Sequence, residues 1–189
     1  DIIRSNEELN AFVKIVLTAV VVFVLLFNFA SHASESLHTL PMGLEEQFRS
    51  ALFHVTSIIS STGYAAMKFD YVSWGDVYLI PTIMLMIIGS CAGSTAGGIK
   101  VVRFVVALKA IRNEFIKQLH PRAVLVINLG GRVMENERVR RTLCYFVIYA
   151  IMIMLAISVM TLLGMDFTTA FGSSISALSN IGPGAGLTG

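Results

Sequence analysis

Leu44 to Tyr64 reads LEEQFRSALFHVTSIISSTGY. The run is charged where it starts, apolar further on, and ends in a Ser-Thr-Gly-Tyr knot. It is too short and too polar at its head to cross a hydrocarbon core of ~30 Å, which takes about 20 residues of helix. The remaining arrangement is a short helix that enters the bilayer and returns to the same side. Its irregular end must then be buried in protein or face water. Glu45 and Glu46 fall in the first turn, where negative charge complements the helix dipole, so capping accounts for them without an ion-attracting role.

The flanks place this run in a membrane. Val13 to Ala30 (VKIVLTAVVVFVLLFNFA) carries one charge, Lys14, and Thr142 to Gly164 (TLCYFVIYAIMIMLAISVMTLLG) carries none. Both are long enough to span. The first lacks a small-residue cleavage site and the second is internal, so neither is expected to be a signal peptide. Of the 189 residues, 55% are hydrophobic and 14% charged, well under the roughly 25% charged of soluble domains. Mean hydropathy is +0.75. The expected fold class is an all-α integral membrane protein.

Charge sets the topology. From Lys100 to Arg141 there are ten basic residues, opposed by Glu114, Glu135 and Glu137. The stretch Ser31 to Asp76 is acidic on balance. Positive residues stay inside, so the loop read as 113–141 is cytoplasmic. The first span then runs outward, 76–112 returns, and 142–164 runs outward again. Membrane segments on both sides of the basic stretch argue against nucleic-acid binding. On this topology Cys91 and Cys144 are reduced and unpaired.

The returning segment is interrupted. Val77 to Ile88 is apolar but holds Pro81, and Ile99 to Ile111 resumes a helical pattern. Between them lies GSCAGSTAGG: Gly89, Ser90, Cys91, Ala92, Gly93, Ser94, Thr95, Ala96, Gly97 and Gly98. Small residues at Gly89, Gly93 and Gly97 could serve close helix packing. A run of ten small residues holds a helix poorly, however, and broken backbone at membrane depth needs a cavity beside it. A nucleotide-binding loop is excluded, because Ile99 stands where Lys is required and no Ser or Thr follows. Lys100 and Arg103 come next. They either snorkel to the interface or, for Lys100, act at the break itself.

An internal repeat appears at an offset of 119. Phe48, Ala51, Ser57, Ser60, Gly63 and Ala66 recur as Phe167, Ala170, Ser176, Ser179, Gly182 and Ala185. Each window follows a spanning block, starts after an acid (Glu46, Asp166) and ends in a glycine knot. The unit is spanning helix, re-entrant helix, extended loop, spanning helix. The expected organisation is a complete pore repeat over 11–112 (pore helix 44–60, filter 61–64, broken helix 76–112). The loop 113–141 follows, then a second repeat over 142–189 without its last helix. Neither knot offers a general base, nucleophile triad or metal-ligand cluster, so no enzyme activity is expected. His54, in the first re-entrant helix, reads as a packed polar residue. Ser94 has no partner that would make it a nucleophile. What each knot supplies is backbone, since glycine reaches φ values that turn successive carbonyls to one side. Rings of carbonyls can replace the hydration shell of a potassium ion.

STGY at 61–64 resembles the filter sequence TVGYG of potassium channels. With the repeat, the degenerate knot NIGPG and the GSCAGSTAGGIK interruption, the chain resembles the bacterial TrkH/KtrB family of the Trk/Ktr/HKT potassium transporters. It matches their third repeat and the start of the fourth. The resemblance implies potassium uptake through carbonyls of Ser61, Thr62, Gly63 and Tyr64 from one quadrant, and of Asn180, Ile181 and Gly182 from the next. It implies a gate formed by Gly89 to Gly98 and Lys100. It also implies an inner-membrane homodimer, possible symport, and a cytosolic nucleotide-binding regulatory subunit, with no cofactor beyond the transported K+. Ala65 and Pro183 depart from the channel pattern, which bears on strict selectivity. A secondary transporter that binds a small solute at the broken helix is the alternative.

Overall fold

The computed structural model describes residues 6–33, 43–64, 76–120 and 125–184. Ala65, Ala66 and Ala185 lie outside these. The described residues form six α-helices and one small hairpin: α1 (Glu7–Ala33), α2 (Leu44–Ile59), α3 (Asp76–Ile87), α4 (Val101–Leu119), β1 (Asn128–Leu129), β2 (Arg132–Val133), α5 (Asn136–Leu162) and α6 (Phe167–Ser179).

The helices α1 and α5 are apolar around their whole circumference. On α1, Val20, Phe23 and Phe27 are buried, while Leu17, Val21 and Leu25 on the opposite stripe are 59, 57 and 62% exposed. Only 11% of the apolar window of either helix is buried. A soluble core helix buries such a surface; here lipid is the solvent for it. The fold is an all-α membrane architecture.

The short helix α2 departs from the soluble rule by burying polar side chains beside apolar ones. α2 buries the polar stripe Gln47, Ser50, His54 and Ser57, and exposes Phe48, Leu52 and Phe53. Lipid gives apolar surface no reason to withdraw, so packing and interhelical hydrogen bonds hold the helices together. His54 is fully buried, with Nδ1 2.9 Å from the Ser50 carbonyl. Asn28 Nδ2 on α1 donates to Gln47 Oε1 on α2 at 2.9 Å. Tyr149 on α5 meets Ser179 Oγ on α6 at 2.9 Å. Tyr78 on α3 donates to the Leu26 carbonyl of α1 at 3.2 Å. Thus in each repeat a polar tie joins the spanning helix to the short one. The core between α1, α2, α3 and α6 is made of Phe23, Val55, Ile58, Tyr78, Met86 and Ile175 among others.

The loop read as 113–141 is shorter than expected. Residues 113–119 continue α4 and 136–141 open α5. Between them Asn128 pairs with Val133 and Leu129 with Arg132 in an antiparallel hairpin. Its turn is Gly130-Gly131, both at positive φ (57° and 79°), the two-residue arrangement whose twist matches the strands. The basic residues flanking this turn are spent partly on local pairs, such as Arg141 with Glu137. Arg103 lies over the Tyr145 ring, 3.7 Å from its centroid, and so ties α4 to α5 by a cation–π contact.

Candidate functional site

The ends of α2 and α6 meet, and they share one backbone signature. After α2, Ser61 has φ +56° and Gly63 φ +73°; after α6, Asn180 has φ +55° and Gly182 φ +112°. The intervening Thr62 and Ile181 stay at negative φ, since Ser61 and Asn180 are the positive-φ non-glycine residues among those described. An alternation of this kind ends the helix and straightens the chain while leaving carbonyls without a helical partner.

Equivalent serines pin both turns. The Ser57 carbonyl accepts from the amides of Thr62 (2.9 Å) and Gly63 (3.3 Å), and the Ser176 carbonyl from that of Ile181 (3.1 Å). Ser57 Oγ donates to the Tyr64 carbonyl at 2.7 Å. Ser176 Oγ accepts from the Gly182 amide at 3.2 Å. These are repeat positions, and their identity has a mechanical reason. The carbonyls of Ser61, Thr62, Gly63, Asn180, Ile181 and Gly182 accept no hydrogen bond from the described residues, although their neighbours Tyr64 and Ser179 do.

The two turns touch. A Cβ on Gly63 would sit 2.0 Å from the Ile181 carbonyl oxygen. The glycine-rich loop reaches the same place. Its neck is closed by a parallel bridge between Ile88 and Ile99, with Gly89 N donating to Ile99 O at 2.8 Å and Ile99 N to Ile87 O at 2.9 Å. A Cβ on Gly97 would fall 2.0 Å from the Ser179 carbonyl oxygen. Ser61 Oγ joins all three segments: it accepts from the Gly97 amide at 3.0 Å and donates to the Ser179 carbonyl at 3.1 Å. Lys100 turns into the loop instead of snorkelling. Its ammonium donates to the Ser94 carbonyl at 2.9 Å, to Ser94 Oγ at 3.3 Å and to the Ala96 carbonyl.

A sequence model of the TrkH family, described as cation transport protein, matches residues 9–189. The chain belongs to the TrkH family. Members of this family are transporters, so the chain is not an enzyme. The Trk system potassium uptake protein TrkG of Escherichia coli (strain K12) is 32% identical over 145 residues, covering 77% of this chain and 30% of that protein. TrkH of Salmonella typhimurium is 31% identical over 184 residues, 96% of this chain and 36% of that protein. The crystal structure of the potassium transporter TrkH from Vibrio parahaemolyticus matches with a TM-score of 0.82 at 29% identity, covering 97% of this chain and 37% of that one. The chain thus spans about a third of the length of these TrkH-family relatives.

Against this fold the sequence candidates can be placed. Ser61 and Gly63 lie against Ser179 and Ile181 at the end of α6, Gly97 touches both turns' ends, and Lys100 braces the loop through Ser94 and Ala96. Cys91, Ala92 and Gly93 occupy the other limb of the loop, away from these contacts. Ser57, Ser176 and Ser179 are further site residues, and the two serine pairs of the repeat, 57 with 176 and 60 with 179, mark them in the sequence. At the start of α6, Asp166 caps the helix by accepting from the Thr169 amide at 3.1 Å. Hydrogen bonds from the Thr169 side chain and then its amide hold this carboxyl below its usual range. Its contribution is complete at neutral pH and is lost as pH falls through the lowered folded value, below the ordinary ~3.9 of Asp. Asp166→Asn keeps an acceptor but cannot titrate, so its detergent-solubilised melting temperature should fall less steeply with acidification than that of the native protein.

Proposed function

We propose that the two glycine turns are adjacent quadrants of a potassium-selective filter, and that the loop Gly89–Gly98 with Lys100 is the gate beneath it. The observation that carries this is the set of six carbonyl oxygens, at Ser61, Thr62, Gly63, Asn180, Ile181 and Gly182, that no described residue claims at two converging helix ends. Buried or channel-facing carbonyls without a partner are costly unless water or a cation takes them. The C-terminal, partially negative ends of α2 and α6 favour the cation. The relatives are named potassium uptake proteins, and that name supports potassium as the substrate. The two repeats run in the same direction, helix then re-entrant helix, which supports a channel-like pore over a secondary transporter built on inverted repeats. Family membership supports, as parts of the same reading, a homodimer in the bacterial inner membrane, a cytosolic nucleotide-binding regulatory subunit and the possibility of symport.

Thallium or rubidium soaked into crystals of the full-length protein should give anomalous density beside residues 61–64 and 180–182. Density elsewhere only, with those carbonyls bonded to amides of the completed protein, would overturn the reading.

Lys100 offers a second check. Its ammonium both braces the loop and places positive charge under the filter. A hydrogen bond to a charged group contributes about 1.5–3 kcal/mol. Losing one such bond in the closed loop alone corresponds to about tenfold in the closed-to-open ratio. Lys100→Met should therefore raise rubidium uptake by about tenfold and leave the potassium-to-sodium ratio unchanged. Uptake at the native level would remove Lys100 from the gate.

A further inference from the structure

The loop proposed as the gate has two limbs. Lys100 holds one limb, through Ser94 and Ala96. The other limb, Cys91 to Gly93, is exposed or half-buried, and a Cβ on Gly93 would meet nothing within 4 Å. It has one long-range anchor among the described residues. The Ala92 amide donates to Oε1 of Glu8, 84 residues away in the first turn of α1.

Glu8 is itself held in place. Asn6 Oδ1 caps the helix by accepting from the amides of Glu8 (3.1 Å) and Leu9 (3.3 Å). The adjacent Glu7 forms an ion pair with Lys109 of α4 at 2.6 Å. The same ammonium donates to the Asn128 carbonyl of the hairpin at 2.6 Å. The start of α1 is therefore fixed to the cytoplasmic elements on one side, and through Glu8 it holds the loop on the other.

We propose that Glu8 is a positioning residue that latches the membrane loop in its closed place from the cytoplasmic end of α1. The inference rests on the reading of Gly89–Gly98 as the gate and adds the contact that restrains its free limb. A carboxylate accepting from a backbone amide makes a charge-assisted bond, stronger than a neutral one. Loss of it frees Ala92 while Lys100 still holds Ser94 and Ala96, so the limb containing Cys91 moves out first.

Cys91 is a built-in reporter of that movement. The test uses the full-length transporter with Cys91 as its only cysteine, in inside-out vesicles. Rubidium flux and the rate of Cys91 modification by a charged methanethiosulfonate are both measured. Glu8→Ala should raise both by about tenfold or more, the range expected for loss of one such charge-assisted hydrogen bond. Glu8→Gln keeps an acceptor oxygen and should return both to within about twofold of the native values. If Glu8→Ala does not reach the membrane, Glu8→Asp, one methylene shorter, should give an intermediate rise in modification. Native flux and modification in Glu8→Ala, alongside raised flux on deletion of Gly93–Gly97, would overturn the latch and leave the gate standing. Unchanged flux on that deletion would overturn the gate reading and the latch with it. Equal effects of Glu8→Ala and Glu8→Gln would also overturn the latch, because the carboxylate would then act by charge alone.

Discussion

Gly63→Ser in the full-length transporter is expected to remove most of the preference for potassium over sodium. Two independent costs arise at this position. The backbone φ of +73° is one that an L-residue adopts only with strain, worth of order 1–3 kcal/mol. The new Cβ would also fall 2.0 Å from the Ile181 carbonyl oxygen and 3.0 Å from Pro183 Cδ. Neither neighbour is the far end of a flexible side chain, so backbone must move. The oxygen that moves belongs to the next quadrant, so one substitution disturbs both proposed strands. A shift of about 3 kcal/mol between ions of different radius corresponds to more than a hundredfold in relative affinity. Gly182→Ser is the internal comparison. Its φ of +112° is strained as well, but a Cβ there meets nothing within 4 Å, so its effect on selectivity should be smaller. Reversal potentials in mixed potassium and sodium solutions measure both. An unchanged permeability ratio in Gly63→Ser would show that these oxygens do not face the ion.

Deletion of Gly93–Gly97 is expected to raise flux by at least about tenfold. It removes the Ser94 and Ala96 acceptors of Lys100 and the Gly97 amide that donates to Ser61 Oγ. Each charge-assisted bond contributes about 1.5–3 kcal/mol, so loss of any one is enough to shift a two-state closure tenfold. Point changes locate the effect. Gly97→Ala would place a methyl 2.0 Å from the Ser179 carbonyl oxygen and 2.4 Å from its carbon. The loop must then withdraw from the end of α6, and flux should rise. Gly93→Ala has open space and should be silent. Initial rates of rubidium uptake in potassium-starved cells distinguish the two. Raised flux in Gly93→Ala with native flux in Gly97→Ala would place the barrier elsewhere.

The fold class and the family were legible in the sequence because lipid imposes few choices. A run such as 142–164 has no other stable use, and a charged head followed by a Ser-Thr-Gly-Tyr knot cannot span. The serines of the repeat were also visible, at 57 and 176 and at 60 and 179, although only the coordinates give them their task of pinning the turns. The hairpin escaped notice although Gly130-Gly131 between Asn-Leu and Arg-Val is a turn signal. The basic residues around it drew the reading toward a featureless loop. The length of α4 was missed for a related reason. Beyond Ile111 its sequence turns polar, and helix in water carries no membrane signature. The sequence allows Lys100 two roles, because the choice depends on the course of the loop at Ser94 and Ala96. Glu8 was not a candidate at all. Its partner is a backbone amide in a segment distant in sequence, and no side-chain pattern encodes such a contact.

The Ser61 hydroxyl accepts a hydrogen bond from the Gly97 amide and donates one to the Ser179 carbonyl. Its orientation is thus shared by the proposed barrier and by both turns. Thermodynamic reciprocity applies to such a shared group. Whatever factor loop withdrawal imposes on cation affinity above it, cation occupancy imposes on loop withdrawal. External potassium, by filling the turns, would then alter how readily the barrier lifts, and a filter substitution such as Gly63→Ser would carry a gating phenotype along with its selectivity phenotype.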